Sequence, residues 1–149
     1  MPELIIRPAK RTDRRGWEPL WAGYNAFYHR VIAPETTDMT WARFFDAYEP
    51  VHALVAEQEG RLVGLVHYLF HRSTSMIAPT CYLQDLFTLE SLRGRGIGRA
   101  LIEAVYERAR VVGSPRVYWQ THETNTTAMR LYDQVAERSG FVVYRKELT

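Results

Sequence analysis

A glycine-rich segment between a strand-like run and an amphipathic helix restricts the fold of this chain more than any other feature. Residues 93–99 read Arg-Gly-Arg-Gly-Ile-Gly-Arg, follow the apolar run Cys81–Thr88 and open a helical pattern that continues to about Val112. Alternating glycines let the backbone turn sharply and approach a ligand closely. The free amides and the dipole of a helix N-terminus favour phosphate. The segment therefore predicts a site for a phosphorylated cofactor, and the alternative is a tight turn beside solvated arginines.

Length and composition limit the classes of protein to which this chain can belong. With 149 residues, 46% of them hydrophobic, we expect one domain with a substantial core over residues 1–149. The formal net charge of +2 is too small to predict nucleic-acid binding through bulk charge. Cys81 is the single cysteine, and the sequence shows neither a signal peptide nor an apolar run of about 18 residues. We therefore expect a cytoplasmic protein that does not span a membrane.

The periodicity of apolar residues predicts the element order β-α-α-β-β-β-α-β-α-β. Strand patterns lie at residues 4–8, 52–57, 61–70, 81–88 and 116–121, and helices begin near Thr12, Thr36, Ile97 and Thr126. An antiparallel meander therefore occupies the first half of the chain, and one parallel β-α-β crossover occupies the second.

The C-terminal tail allows two interpretations. In the first, the last helix continues to Arg138 and stops before Gly140. In the second, that helix ends near Asp133, and a turn at Ser139–Gly140 leads into a strand over Phe141–Glu147. The residues alone do not decide between a long helix and a final hairpin.

Two other phosphate-binding loops do not fit the glycine segment. A nucleoside-triphosphate loop ends in Gly-Lys-Ser/Thr, whereas Gly98 is followed here by Arg99-Ala100. A dinucleotide loop has Gly-x-Gly-x-x-Gly directly after a strand. Both the glycine spacing and the intervening residues 89–92 argue against that loop. Nicotinamide and flavin enzymes are therefore disfavoured.

Two motifs together resemble the GNAT superfamily of N-acetyltransferases. The pattern Arg-x-x-Gly-x-Gly over residues 93–98, between a strand and a helix, resembles the acetyl-CoA pyrophosphate loop of that superfamily. The pattern Asn-x-x-Ala-x-x-x-Tyr over residues 125–132 is similar to its later motif. The resemblance is strong over residues 81–149 and rests on element order before them. The residues of the later motif are most similar to those of the branch that acetylates histone tails and polyamines.

The resemblance implies a mixed α/β (α+β) fold. Its central sheet would be mostly antiparallel and splayed between strands 4 and 5, with helices on both faces and the tail in its hairpin form. Acetyl-CoA would be the co-substrate, without a metal, and the acceptor a small-molecule amine such as a polyamine, or a lysine-bearing peptide. An aminoglycoside or amino-acid-derived acceptor, and a non-catalytic acyl-CoA-binding module, are the alternatives. Such relatives are often homodimers, and neither nucleic acid nor membrane is an expected partner.

The resemblance also assigns site residues, position by position. Backbone groups of Leu86, Phe87 and Thr88 would bind the pantetheine arm. The pyrophosphate would be held by the loop that contains Arg93, Gly94, Arg95, Gly96, Ile97, Gly98 and Arg99. Asn125 would bond the cofactor near its thiol end. Tyr132, two helical turns later on the same face, would protonate the departing thiolate.

The general base that accepts a proton from the acceptor amine is the least determined residue. Resemblance to polyamine-type relatives places it at Gln84, whose amide cannot usefully accept a proton. Asp85 would point to the opposite face of a regular strand unless a bulge re-aims it. Glu123 and a chain of water molecules are the other candidates. For the acceptor pocket we expect Tyr24, Tyr28, Gln84 and His122.

No metal or thiol chemistry is expected. His67 and His71 would share one face of a strand, but no third ligand has a suitable spacing. Cys81 reads as a small core residue rather than a nucleophile, because direct attack in a ternary complex needs no acyl-cysteine.

Overall fold

The computed structural model describes residues 2–149, and its centre is a five-stranded sheet with the strand order β1-β2-β3-β4-β5. The elements in chain order are β1 (Leu4–Pro8), α1 (Arg14–Phe27), α2 (Pro34–Arg43), β2 (Val51–Gln58), β3 (Arg61–His71), β4 (Thr80–Thr88), α3 (Ile97–Val112), β5 (Val117–Tyr118) and α4 (Thr126–Val135). Neighbouring strands are antiparallel except for the parallel pair β4–β5. The mixed, mostly antiparallel α/β fold that the sequence predicts is therefore confirmed.

Helices cover both faces of the sheet and bury two clusters of apolar side chains. On one face α3 contributes Leu101 and Val105, both completely buried. On the other face α1 and α2 contribute Trp17 and Trp41, whose ring centroids are 4.7 Å apart and which pack with Leu65 of β3. Burial of an apolar side chain of this size contributes about 1.5–3 kcal/mol. These clusters therefore fix β2, β3 and β4 between two helical layers.

A bulge in β4 decides which face its polar side chains occupy. His67 pairs with Asp85 and the next residue, Tyr68, pairs with Leu83, so Gln84 is the extra residue. One extra residue reverses the alternation of side chains along a strand. Leu83 consequently packs into the cluster under α3, while Asp85 is buried beside His67 on the α1 side. The sequence analysis placed Asp85 on the opposite face of β4 unless the strand contained a bulge. The bulge is present, and it turns Asp85 to the α1 side.

The strands β4 and β5 separate after a short contact. They pair in parallel at Cys81 with Val117 and at Tyr82 with Tyr118. The strand expected over residues 116–121 is therefore shorter than predicted. Beyond Tyr82, β4 runs on without β5 beside it, and this is the splay that the resemblance implied.

The tail adopts neither of the expected forms. The last helix, α4, ends at Val135, before the Arg138 of the first interpretation and close to the Asp133 of the second. Gly140 has a φ of 86°, which is a turn, but residues 136–149 of the described chain form neither helix nor strand. The expected hairpin over Phe141–Glu147 is therefore wrong for this conformation. The physical reason is that β5 is two residues long and offers too short an edge within the same chain.

Candidate active site

The glycine segment forms a candidate anion site at the N-terminus of α3. Gly94 and Gly96 have φ values of 80° and 86°, in the left-handed region that favours glycine. The first bond of the helix runs from the Ala100 N–H to the Gly96 carbonyl at 3.0 Å, so the N–H groups of residues 97–99 have no intrahelical acceptor. A Cβ atom at Gly94 or Gly96 would meet no atom within 4 Å. The backbone at Gly94 and Gly96 therefore borders open space.

Side chains around this loop anchor it and add positive charge. Ile97 is buried in the core under α3, which fixes the first turn of the helix. Arg93 donates from Nε to the Thr88 carbonyl at 3.2 Å, and its guanidinium lies 5.4 Å from the centroid of the Phe87 ring. Arg95 and Arg99 are exposed. Their charges and the helix dipole together favour a phosphate group at this position.

The edge of β4 beside the splay is available to an extended ligand. Leu86, Phe87 and Thr88 pair with β3 on one side, while β5 contacts β4 only at Cys81 and Tyr82. In an antiparallel ladder, the N–H and C=O groups of alternate residues point to opposite neighbours. Some backbone groups of Leu86–Thr88 therefore point into the opening that leads from the glycine loop towards α4.

Asp85 lies at the end of a buried hydrogen-bond chain. The Trp17 indole donates from Nε1 to His67 Nε2 at 3.0 Å, and His67 Nδ1 lies 2.9 Å from Asp85 Oδ2. An indole N–H can only donate, so His67 Nε2 must accept. The ring is therefore neutral with its proton on Nδ1, and it donates that proton to Asp85. All three side chains are buried, so the orientation of the carboxylate is fixed.

Tyrosines connect Asp85 to α4. Burial raises the pKa of Tyr24 above its usual value, and the charge of nearby Asp85 raises that pKa further. The ring centroids of Tyr24 and Tyr28 are 5.1 Å apart. Burial, followed by the proximity of Tyr28, raises the pKa of Tyr132 to about 12. Asp85 is therefore near Tyr24, Tyr24 packs on Tyr28, and Tyr28 is near Tyr132, so the structure brings together four of the residues expected from the sequence.

A few contacts hold α4 in place. The Tyr132 ring lies 5.4 Å from the Trp119 ring and nearly perpendicular to it. The Tyr106 hydroxyl of α3 donates to the Val135 carbonyl at 2.8 Å. Asn125 precedes the helix and donates its side-chain amide to Thr121 at 3.1 Å. The position of Tyr132 therefore depends on half-buried contacts of α4 at the rim of the main core.

The remaining expected residues lie at the periphery. His122 Nδ1 is 2.7 Å from the Thr124 hydroxyl, and His122 and Glu123 are both exposed on the turn before α4. Gln84 is exposed at the bulge. Among the described residues, no hydrogen bond connects these three side chains to Asp85. Of the two carboxylates considered as the base, Asp85 is buried near Tyr24 and Glu123 is exposed.

The sequence analysis missed two contributors to the opening. Burial and then the charge of Asp85 raise the pKa of Tyr82, which stacks on Tyr118 at 4.9 Å. The Arg30 guanidinium lies 5.2 Å and 5.5 Å from the ring centroids of Tyr24 and Tyr28. Aromatic residues before Arg30 gave the only local signal, because their contacts arise from the packing of α1 against the sheet. The sequence also treated His67 as a possible metal ligand alone.

The described residues were compared with three further possibilities, which are metal binding, thiol chemistry and a membrane-spanning helix. Within residues 2–149, no group of three or more His, Cys, Asp or Glu side chains could hold a metal ion. Cys81 is completely buried, and burial raises its pKa to about 12, so its thiol stays protonated at neutral pH. None of the helices described here combines the length and apolar character needed to cross a membrane.

Comparison with known proteins identifies the family. The model of the acetyltransferase (GNAT) family matches residues 17–136. The chain is 34% identical over 145 residues to the D-amino-acid N-acetyltransferase HPA3 of Saccharomyces cerevisiae, an alignment that covers 96% of this chain and 90% of that protein. It is 30% identical over 144 residues to the uncharacterized N-acetyltransferase YhfO of Bacillus subtilis, with 95% of each covered. This protein therefore belongs to the GNAT family of acetyltransferases.

Solved structures agree at the level of the fold. The aminoglycoside acetyltransferase AAC(6')-Iy, in complex with the bisubstrate analogue CoA-S-monomethyl-acetylneamine, superimposes with a TM-score of 0.85 at 18% identity over 99% of each chain. The ribosomal-protein-alanine N-acetyltransferase of Brucella melitensis superimposes with a TM-score of 0.83 at 20% identity, covering 98% of this chain and all of that one. The protein is an N-acetyltransferase that uses acetyl-CoA, and the open cradle of Gly94 and Gly96 fits the cofactor's pyrophosphate. The names of these relatives cover several acceptor classes, so the comparisons show the family and not a branch of it.

Proposed function

We propose that this acetyltransferase acts on the amino group of a free amino acid, by direct attack in a ternary complex. The observation that carries the proposal is the pair of opposite charges beside Tyr24. The charge of Asp85 acts on Tyr24, and the Arg30 guanidinium lies 5.2 Å from the centroid of the Tyr24 ring. An amino acid carries an ammonium group and a carboxylate, which are the two groups that Asp85 and Arg30 would bind. The name of the yeast relative, a D-amino-acid N-acetyltransferase, supports the same acceptor class.

Arg30 is suited to bind the acceptor's carboxylate. Its backbone N–H is fixed by a bond to the Asn25 carbonyl at 2.9 Å, and its side chain is exposed. No carboxylate among the described residues lies within ion-pair distance of Arg30. A guanidinium can bind a carboxylate through two parallel hydrogen bonds. A polyamine carries no group that would use this arginine, and Arg30 would repel its second ammonium group.

Asp85 is the general base of the proposed reaction. A primary amine is mostly protonated at neutral pH and cannot attack a carbonyl carbon until it loses a proton. Asp85 attracts the ammonium group and accepts that proton, directly or through one water molecule. The His67 N–H holds Asp85 in one orientation, so the carboxylate does not reorganise during the transfer.

Acetyl-CoA supplies the acetyl group as a thioester. The amine nitrogen forms a bond to the carbonyl carbon, and the carbon–sulfur bond breaks with its electron pair left on sulfur. A backbone N–H of Phe87 or Thr88 stabilises the negative charge that develops on the carbonyl oxygen. Tyr132 donates a proton to the sulfur, and its pKa of about 12 keeps it protonated up to alkaline pH.

The cofactor is held by the remaining expected residues. In this proposal, the free amides of residues 97–99 and the arginines 93, 95 and 99 bind the pyrophosphate. Backbone groups of Leu86–Thr88 bind the pantetheine arm along the free edge of β4. Asn125 bonds the arm near its thiol end. Tyr28 and His122 line the acceptor side, where they border the path from solvent to Asp85.

A second acceptor class, the polyamine or lysine-type amine, follows from the exposed acidic turn. Glu123 lies on that turn and could attract a second ammonium group. The two classes differ in one group, since ornithine and lysine carry the carboxylate that putrescine and cadaverine lack. That difference makes the matched pairs a direct test of the acceptor class.

The test measures thiol release from acetyl-CoA with the D- and L-forms of amino acids and with their decarboxylated amines. We expect higher kcat/KM for an amino acid than for the matching amine. Arg30→Ala should lower kcat/KM for the amino acid about ten- to a hundredfold, because a charge-assisted hydrogen bond contributes about 1.5–3 kcal/mol. Arg30→Lys should recover part of that loss. A preference for putrescine or cadaverine that Arg30→Ala leaves unchanged would contradict the proposal.

A further inference from the structure

A second cleft lies between α3 and the first residues of β2, and none of its lining residues belongs to the active site. Its volume is about 200 Å³, and its polar side chains are those of His52, Tyr68 and Arg108. The rest of the lining is apolar and includes Pro8, Phe44 and Leu54. Apolar walls with a few placed polar groups are the usual composition of a site for a small ligand.

A pair of rings across two strands supplies two of the polar groups. His52 of β2 is directly opposite Tyr68 of β3, and the ring centroids are 5.1 Å apart with an angle of 29° between the planes. Tyr68 exposes only 5% of its surface. Within residues 2–149 its hydroxyl has no hydrogen-bond partner, and the protein does not enclose that hydroxyl completely. Because Tyr68 lines the cleft, its hydroxyl is a free donor there.

Arg108 adds a positive charge that no carboxylate balances. Burial and then the charge of Arg108 lower the pKa of His52, and the same charge opposes the rise that burial causes in the pKa of Tyr68. The ion pairs within α3 use Arg99 and Arg110, and no ion pair among the described residues includes Arg108. The cleft lining contains no acidic residue. Three side chains that can donate hydrogen bonds therefore meet here without an acceptor from the protein.

From these contacts we infer that the cleft binds a small organic monocarboxylate. A guanidinium donates to both oxygens of a carboxylate through two parallel hydrogen bonds, and the Tyr68 hydroxyl can donate a third. Arg108 carries the one full charge of the described lining at neutral pH, because its lowered pKa keeps His52 mostly neutral. A monoanion therefore balances the charge of the cleft.

The size and the walls of the cleft indicate the body of the ligand. A volume of about 200 Å³ is the share of about seven water molecules in the liquid. A short carbon chain or a single ring fits this space and packs against Phe44 and Leu54. A phosphate would leave these apolar walls uncovered and bring a second negative charge that the lining does not balance. The inference does not rest on the proposed acceptor class, because the cleft shares no residue with the active site.

Titration of His52 makes the affinity depend on pH. A bound carboxylate offsets the charge of Arg108 and so raises the pKa of His52 from its lowered value. Binding and protonation therefore favour each other, and the affinity increases as the pH falls from about 7 to about 5.5. A carboxylic acid with a pKa of about 4 stays mostly ionised over that range. Arg108 and Tyr68 are the titratable groups of the described lining that face His52, and the lining from β1 and the end of α2 has none.

The first experiment follows the amide signals of the isotope-labelled full chain by NMR as sodium butyrate is added. We expect saturable shifts at His52, Tyr68 and Arg108, with a dissociation constant in the millimolar range. Arg108→Gln should weaken binding about ten- to a hundredfold, because it removes the charge-assisted hydrogen bonds. Arg110→Gln is the matched control, since Arg110 is an exposed arginine of the same helix that pairs with Glu107. Unchanged affinity in Arg108→Gln, or the absence of saturable shifts, would overturn the inference.

The second experiment separates the cleft from the active site, where Arg30 is also proposed to bind a carboxylate. Arg30→Ala should leave the shifts at His52 and Tyr68 unchanged. Shifts that disappear in Arg30→Ala and persist in Arg108→Gln would place butyrate in the active site and overturn the inference. Because the readout is binding and not activity, a failure of the proposed acceptor class does not affect this result.

Two further substitutions test the other donors. Tyr68→Phe keeps the ring in the core and removes the hydroxyl, so butyrate should bind severalfold more weakly. His52→Gln cannot titrate, so the rise of affinity between about pH 7 and about pH 5.5 should disappear. Wild-type affinity and pH dependence in both variants would contradict the site. Inorganic phosphate should bind more weakly than butyrate, and tighter binding of phosphate would overturn the assignment to a carboxylate.

Discussion

The two sides of the active site are held by different parts of the molecule. The side that ends in Asp85 stands on Trp17 and His67, which are fully or almost fully buried between α1 and the sheet. The side that ends in Tyr132 stands on α4, where no residue is fully buried, and on a two-residue strand. Packing between α1 and the sheet therefore fixes Asp85, the general base of the proposed mechanism. Tyr132, the proposed general acid, stands in a half-buried helix.

The largest expected effect is the loss of cofactor binding in Gly96→Glu. Gly96 directly precedes α3. A glutamate side chain there would occupy the candidate anion site, and its negative charge would repel the pyrophosphate. Calorimetry should detect no acetyl-CoA binding, whereas the wild type should bind in the micromolar range, near −8 kcal/mol.

The matched control for this change is Gly60→Glu in the turn between β2 and β3. Gly60 has a φ of 75° and open space around it, so the backbone strain of the two variants is similar. A non-glycine residue in that region costs about 1–2 kcal/mol. Gly60→Glu should therefore lose comparable stability and keep acetyl-CoA binding. Equal binding by both folded variants would place the cofactor elsewhere.

The next effect tests the tightly packed side of the site. Asp85→Asn keeps an oxygen that accepts from the His67 N–H, so the fold should survive, but the base is lost. We expect kcat/KM to fall by about 10²–10⁴-fold and the rise of rate with pH to change, because general-base contributions have this size. Glu123→Gln on the exposed turn is the control and should stay near wild type. The opposite ranking of the two variants would make Glu123 the base.

A smaller effect is expected on the loosely packed side. Tyr132→Phe keeps the ring against Trp119 and removes only the hydroxyl. We expect kcat to fall by about ten- to a thousandfold at saturating acetyl-CoA, since water can replace part of a general acid. Calorimetry should show nearly unchanged cofactor binding. A kcat within about twofold of wild type, in a step shown to be limited by chemistry, removes Tyr132 from the mechanism.

The smallest effect tests how far Tyr132 is sheltered on the loosely packed side, through the stability of the protein at alkaline pH. Burial raises the pKa of Cys81 from 9.0 to about 12 and that of Tyr132 from 10.0 to about 12. A group whose pKa is higher in the folded state stabilises the fold below its unfolded pKa, and that contribution is lost as the pH rises through the folded value. The free energy of unfolding should therefore be level near neutral pH and decline from about pH 9 to 12.

Substitution of single tyrosines separates the contributions to this decline. Tyr132→Phe should make the decline above about pH 10 shallower, because one of the groups that must ionise is absent. Tyr144→Phe, at a residue that is 93% exposed, is the matched control and should leave the pH profile of unfolding unchanged. Denaturant unfolding of both full-length variants, followed at several pH values, measures the two profiles. If the free energy of unfolding depended on pH in the same way in both variants, Tyr132 would be no better protected from solvent than Tyr144.

The features that could be predicted from the sequence are the local ones. The helix at Ile97 and its anion site follow from glycine spacing and apolar periodicity, which act within a few residues. The contact between His67 and Asp85 depends on the register across β3 and β4 and on the bulge at Gln84. A shift of one residue there reverses every side chain, and no local pattern marks it. The prediction of a strand in the tail was wrong for a related reason. A strand pattern in the sequence does not indicate which sheet edge will pair with it.

The hydrogen bond from Trp17 to His67 limits the routes by which a proton could leave Asp85 in the proposed mechanism. The indole N–H donates to His67 Nε2, so the imidazole presents its Nδ1–H, and not a free lone pair, to Asp85. In the proposed mechanism, the proton that Asp85 accepts therefore leaves on the other side of the carboxylate, past Tyr24 and Tyr28 to solvent. The proposed mechanism therefore has no proton path from Asp85 into the core. In each turnover, the proton leaves through the same opening by which the next acceptor enters.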